Sequence, residues 1–196
     1  MYIHRNLPLL IENSTIELVS EASFETISLN QIAQKTSISV PTLLACFQSK
    51  QDLLMQCCLL CFSRMANDVF KPVGETNLIN GIRYIYYNYL RFRQYNRKET
   101  LFIQKFLKSP SCINEPGLKQ KINKILLPFA DYLALYYETP VGNKSFWVIS
   151  HMISSVKEMD QEKVIEQLRR HGSIHGQFIQ TFWLEFQKIM NLPIIG

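Results

Sequence analysis

Glycine is scarce in this chain, at seven of 196 residues. That scarcity excludes a collagen-like or disordered polypeptide, and no glycine-rich loop able to cradle phosphates stands out. Long apolar runs are also missing, since none approaches the roughly 18 residues of a membrane helix. Leu7-Pro8-Leu9-Leu10-Ile11 stops at Glu12, too short for the apolar core of a secretory signal. The expectation is a cytoplasmic protein with no membrane segment. Ser-His-Asp order, a Cys-His pair and a paired-carboxylate motif are absent as well, so catalysis finds no support and no cofactor or metal is expected.

Cysteine is sparse, and its spacing does not suggest a disulfide framework. Cys46, Cys57, Cys58, Cys61 and Cys112 fit a reducing compartment. Cys57 and Cys61 are four apart on a helical stretch among Leu54, Met55, Leu59, Leu60 and Phe62. Two readings stand: small buried hydrophobes in a core, or a thiol sensor or ligand cluster. No histidine accompanies them at ligand spacing.

Hydrophobic residues make up 47% of the chain and aromatics 12%, enough for a substantial core. The densest signal runs from Phe24 to Leu54, where three helix starts fall within about thirty residues. Ser28 followed by Gln31 is a capping box: the hydroxyl accepts from the backbone N–H of Gln31 while the side-chain amide reaches back to the N–H of Ser28. Leu29, Ile32 and Ala33 give that short helix one inward face. Ser39 caps a second helix, with Pro41 tolerated in its first turn because the missing N–H would be unpaired there. Leu43 and Phe47, four apart, pin the second helix to the first. Ser49 with Asp52 caps a third. Such a succession is a helix-turn-helix.

These residues resemble the DNA-binding segment of the TetR family of bacterial regulators. The matching positions are Phe24, Ile32-Ala33, Ser39, Thr42-Leu43, Phe47 and Ser49-Lys50-Gln51-Asp52-Leu53-Leu54. The resemblance is sharp over about residues 10–55 and architectural beyond. It implies an all-α fold, with a helix-turn-helix three-helix head over residues 1–48 and a helical-bundle ligand-binding and dimerisation domain over residues 49–196. It also implies a double-stranded DNA operator as partner. On the head, the residues placed toward DNA are Ser28, Ser39, Val40 and Thr42, then Leu44, Ala45 and Cys46, and finally Gln48 and Lys50.

Departures from the family pattern carry physical consequences. Ser23 and Ser37 stand where the family usually has glycine, so each turn must tolerate a positive φ or change shape. Leu44 replaces a tyrosine whose hydroxyl contacts a phosphate in the family, and leucine has no such donor. Val40, Leu44 and Ala45 retain apolar contact with thymine methyl groups as a form of readout. Charge is uneven: residues 1–62 hold three basic side chains (Arg5, Lys35, Lys50) against five acidic (Glu12, Glu17, Glu21, Glu25, Asp52), whereas the whole chain is +5. Because neutralising phosphates supplies most non-specific affinity, a head at −2 binds DNA weakly or leans on backbone amides and uncharged donors. The alternative is a head kept only as a packed domain.

Beyond the head, helix follows helix. One spans about residues 49–70 and stops at Lys71-Pro72-Val73-Gly74. The next, about 77–95, is apolar nearly all round, which predicts a central helix. Its tyrosines suggest either a hydroxyl-edged cavity or a solid core. Arg91, Arg93, Arg97 and Lys98 cluster at its end, either solvated or supplying phosphate contacts through a short helix over about 99–107. A periodic run over 118–138 contains Pro128, which predicts a bend where Lys124 loses its hydrogen-bond donor.

Helices over about 145–159 and 174–190 close the chain, with a short charged one over 161–171. His151 sits among apolar residues as a core, interface or effector-contacting group. By resemblance, an effector pocket takes Tyr86, Tyr87, Tyr89, Phe102, Phe106, Phe129, Tyr132 and His151 and receives a small apolar or aromatic molecule. A two-fold homodimer interface takes Trp147, Ser154, Ser155, Phe178, Phe182, Trp183 and Phe186.

Overall fold

The computed structural model describes residues 6–70, 78–109, 114, 117–128 and 131. All regular structure among them is helical: α1 (Leu7–Glu21), α2 (Leu29–Thr36), α3 (Val40–Cys46), α4 (Lys50–Val69), α5 (Leu78–Tyr95), α6 (Arg97–Lys108) and α7 (Leu118–Ile125). The expected helices beyond residue 140, with every residue assigned to a dimer interface and His151, lie outside the described residues. So do Phe129, Tyr132, Cys112 and the Lys71-Pro72-Val73-Gly74 breaker.

Two compact units partition the chain, one from Met1–Arg64 with Tyr95–Lys119, the other from Met65–Gln94 with Gln120–Gly196. In the first, α1 buries Ile11, Thr15, Ile16 and Val19 along one stripe. The Thr15 hydroxyl is satisfied by donating to the Ile11 carbonyl at 2.8 Å. Helix α2 packs across α1, α3 against α2, and α6 along α1. Ile32, Leu43, Leu53, Cys57, Cys61, Phe62 and Phe102 are fully buried. The first unit therefore extends beyond the 48-residue head read from the motif, because α6 shares its core; a functional division at residue 48 is a different partition.

In the second unit, Met65, Val69, Phe70, Ile85, Tyr89, Leu90 and Phe92 are buried. Asn88, itself buried, donates to the Val69 carbonyl at 3.3 Å, satisfying one acceptor left open by the end of α4. The expectation of an all-round buried α5 is corrected. Tyr84, Tyr87, Arg91 and Tyr95 are exposed, and their spacing of three, four and four residues draws one solvated stripe down the helix. Tyrosine tolerates such a position because its hydroxyl stays wet.

Near Pro128 the helix is locally broken. α7 ends at Ile125, and the Leu126 N–H is shared between the carbonyls of Ile122 at 3.0 Å and Asn123 at 3.1 Å. That bifurcation marks a tightened last turn, after which residues 127 and 128 are helical again. Pro128 withholds the N–H that the Lys124 carbonyl would accept, and the break at Leu126 lies within the turn that loses this bond.

Candidate nucleic-acid interface

Three local caps build the head. Ser28 has extended backbone, its Oγ accepts from the Gln31 N–H at 3.2 Å, and its own N–H donates to Gln31 Oε1 at 2.8 Å. Both halves of the capping box are thus made. Ser39 Oγ accepts from the Thr42 N–H at 3.1 Å and shares a hydrogen bond with Thr42 Oγ1 at 2.8 Å, with Pro41 in the first turn. Before α4, Ser49 Oγ accepts from the Asp52 N–H and Asp52 Oδ2 accepts from the Gln48 N–H, each at 3.0 Å.

The two serines in glycine positions behave differently. Ser37 takes the left-handed conformation, φ 56° and ψ 36°, and its N–H closes α2 onto the carbonyls of Ala33 and Gln34. Ser23 does not; among the described residues Ser37 is the sole non-glycine with positive φ. The Ser23 turn is closed through Thr26, whose Oγ1 accepts from the Ser23 N–H at 3.2 Å and contacts its hydroxyl at 3.3 Å.

Helix α3 has two faces. Leu43 and Phe47 are buried on the inner one. Thr42, Leu44 and Ala45 stand outward, with Gln48 just beyond the helix; Ser28 and Ser39 are exposed, and Val40, Cys46 and Lys50 are half-buried. Leu44 is 41% exposed although it is a large apolar side chain. Removing it from water requires a partner surface. All nine side chains placed toward DNA by resemblance therefore reach the surface of this one element group, with the Ser28 and Ser39 hydroxyls also engaged in capping.

Helix α6 fixes the head from behind. The Lys105 ammonium donates to the carbonyls of Val19 and Ser20, each at 2.8 Å, and to that of Ala22. A cation thus satisfies the open acceptors at the end of α1, where the helix dipole also favours positive charge. The Phe102 ring meets Phe24 edge-on at 5.1 Å, and Phe106 meets Phe62 likewise at 6.3 Å. Arg64 of α4 donates to Glu99 of α6 and to Asn13 of α1, both at 2.7 Å. Phe102 and Phe106, expected in an effector pocket, are found closing the core beneath the helix-turn-helix, because α6 belongs to that unit. Of the other pocket residues within the described range, Tyr89 is buried and Tyr87 is exposed.

Electrostatics around α1 centre on Glu17, which nothing in the local pattern singled out. Its Oε2 lies 3.0 Å from Lys35 Nζ of α2, and its Oε1 accepts from Lys98 of α6. The hydrogen bond from Lys98, then that from Lys35, holds its carboxyl below the usual range, and the Lys98 ammonium is correspondingly raised. Lys98, considered for phosphate contact, thus already has a partner, while Arg91 and Arg97 are exposed. Glu12 shifts the other way: partial burial raises it, opposed by the nearby Arg64 charge. Burial likewise pushes the Cys57 and Cys61 thiols well up. With Cys58, both are fully buried, which is the environment of inert core cysteines. Among the described residues no group of three or more His, Cys, Asp or Glu side chains is arranged to hold a metal ion.

No protein-family model and no curated protein matches this sequence. Solved structures do. A chain from Shewanella sp. PV-4 assigned to the TetR family of transcription regulators is 17% identical, with a TM-score of 0.69 over 92% of this chain and 96% of its own. The fatty acid degradation regulator FadR from Bacillus halodurans is 13% identical, with a TM-score of 0.63 over 93% and 96%. A TetR-like transcriptional regulator from Rhodococcus sp. RHA1 is 14% identical, with a TM-score of 0.61 over 94% and 98%. With nine-tenths or more of the chain covered in each comparison, its fold is similar to the all-α fold of these TetR-family transcription regulators.

Proposed function

We propose that this protein is a DNA-binding transcription regulator of the TetR type, a homodimer that represses from a pseudo-palindromic operator and is released by a small apolar or aromatic effector. The observation that carries the reading is α3: a capped helix whose inner residues Leu43 and Phe47 are locked in the core while Thr42, Leu44, Ala45 and neighbouring Gln48 face outward. In helix-turn-helix proteins the second helix lies in the major groove and its early residues touch base edges. The division of labour places the head within residues 1–48 and effector binding and dimerisation within 49–196, with Tyr86, Tyr87 and Tyr89 of α5, together with Phe129, Tyr132 and His151, as effector contacts. Two-fold pairing through Trp147, Ser154, Ser155, Phe178, Phe182, Trp183 and Phe186 would present two heads to successive major grooves. An effector that favours a different spacing of heads releases the operator. No catalytic step enters this reading.

A second reading is a dimeric ligand-binding or protein-interaction protein with weak or lost DNA affinity. The acidic balance of the head favours it, since residues 1–62 carry only three basic side chains. Binding of the protein to duplex DNA from upstream of its own gene, measured as a salt series, separates the two. Saturable retardation that weakens with salt supports the regulator; no retardation at the lowest salt supports the second reading.

A further inference from the structure

Glu17 brings together two cations from different elements. Lys35, next to last in α2 and four residues before the Ser39 cap of α3, sits on one carboxylate oxygen at 3.0 Å, and Lys98, in the first turn of α6, sits on the other. The lysine side chains remain 32% and 55% exposed, and Glu17 31%. Both lysines are therefore open to an incoming anion, and the carboxylate between them is open to its repulsion. Two ammonium groups on one carboxylate make the same kind of charge-assisted contact that lysines make to phosphate oxygens, and Lys35 lies on α2, the first helix of the motif, which crosses the sugar-phosphate backbone in helix-turn-helix complexes. Residues 1–62 have only three basic side chains to offer, and one of them is Lys35. The pairing thus removes a large share of the positive charge that the head brings to DNA, and leaves a negative charge beside it.

We propose that Glu17 limits DNA affinity by withholding Lys35 and Lys98 from phosphates. The inference rests on the DNA-binding reading and adds to it a residue that sets how tightly, and with what salt dependence, the head holds a duplex. Exposed ion pairs are individually weak, so replacing the single carboxylate is enough to hand both lysines over to phosphate. Neutralising Glu17 at constant shape leaves both ammonium groups without their partner and removes the repulsion between the carboxylate and the backbone.

The test is equilibrium binding of full-length wild type, E17Q, K35Q and the triple variant E17Q/K35Q/K98Q to a fluorescent duplex, followed by anisotropy between roughly 50 and 200 mM salt. E17Q is expected to bind about three- to tenfold more tightly near 0.1 M salt, with the slope of log K against log salt steeper by about 0.9 for each lysine freed. The triple variant is expected to lose that gain, and K35Q alone to keep the wild-type slope. Wild-type binding with an unchanged slope in E17Q overturns this inference and leaves the DNA-binding reading intact. A shallower slope in K35Q also overturns it, because Lys35 would then already be on a phosphate; this arm holds even if E17Q does not fold. If neither wild type nor E17Q binds at the lowest salt, both readings fall together.

Discussion

Ser37 holds a left-handed backbone that a side chain opposes, at φ 56°, whereas Ser23 avoids that conformation by turning through Thr26. Identical residues in two glycine-type positions therefore predict opposite responses to glycine. Ser37→Gly is expected to stabilise the protein by about 0.5–1 kcal/mol, the relief of left-handed strain exceeding the added freedom of the unfolded chain. Ser23→Gly is expected to destabilise by a similar amount, because it loses the hydroxyl contact and gains flexibility without relieving strain. Thermal or denaturant unfolding of the two variants checks the pair.

Glu12 offers a pH signature at the same scale. Burial raises its carboxyl in the folded state, so the protonated form is the one folding favours; its contribution is present below the ordinary carboxylate range and is lost as pH rises through the raised value. Glu12→Gln is thus expected to raise the melting temperature at neutral pH and to have little effect near pH 4. An equal effect at both pH values would contradict this assignment. Glu17 titrates with the reverse sign, its contribution present at neutral pH and lost on acidification.

Among the elements, the join of α6 to α1 governs how firmly the head is held. Lys105→Met keeps the aliphatic stem but leaves the carbonyls of Val19, Ser20 and Ala22 without their cation, a loss of about 1–3 kcal/mol. Phe102→Ala empties a fully buried site against Phe24 and is expected to cost about 3–5 kcal/mol. Chemical unfolding curves measure both, and a Lys105→Met variant as stable as wild type would show that the carbonyls find water instead.

What could be read from the sequence divides along this line. The caps at Ser28, Ser39 and Ser49 were legible because donor and acceptor lie three residues apart, so composition and contact coincide. The Lys105 contact joins residues 83 to 86 positions apart, and no local pattern signals it, so nothing local separates a pocket position for Phe102 and Phe106 from their place in the core of the head. On α5 the signal is present in the sequence: Tyr84, Tyr87, Arg91 and Tyr95 form a stripe of helical spacing that disappears only if tyrosine counts as purely apolar. In α7 the hydrophobic period runs on past Ile125 and does not signal the one-residue break at Leu126, after which residues 127 and 128 are helical again.

At the scale of the whole molecule, identities of 13–17% to the three structures described above leave the fold recognisable while most residues differ. Function then depends on whether a head with few cations, one of them paired internally, still grips a duplex through caps, backbone amides and the outward side chains of α3. Titration of full-length protein and a Thr42→Ala/Gln48→Ala variant with duplex from upstream of its own gene, alongside an unrelated duplex at equal salt, tests this directly. A regulator reading DNA through α3 binds its own duplex more tightly than the unrelated one, and the variant loses that preference while remaining folded. Equal binding of both duplexes by wild type, or none to either at low salt, would contradict it.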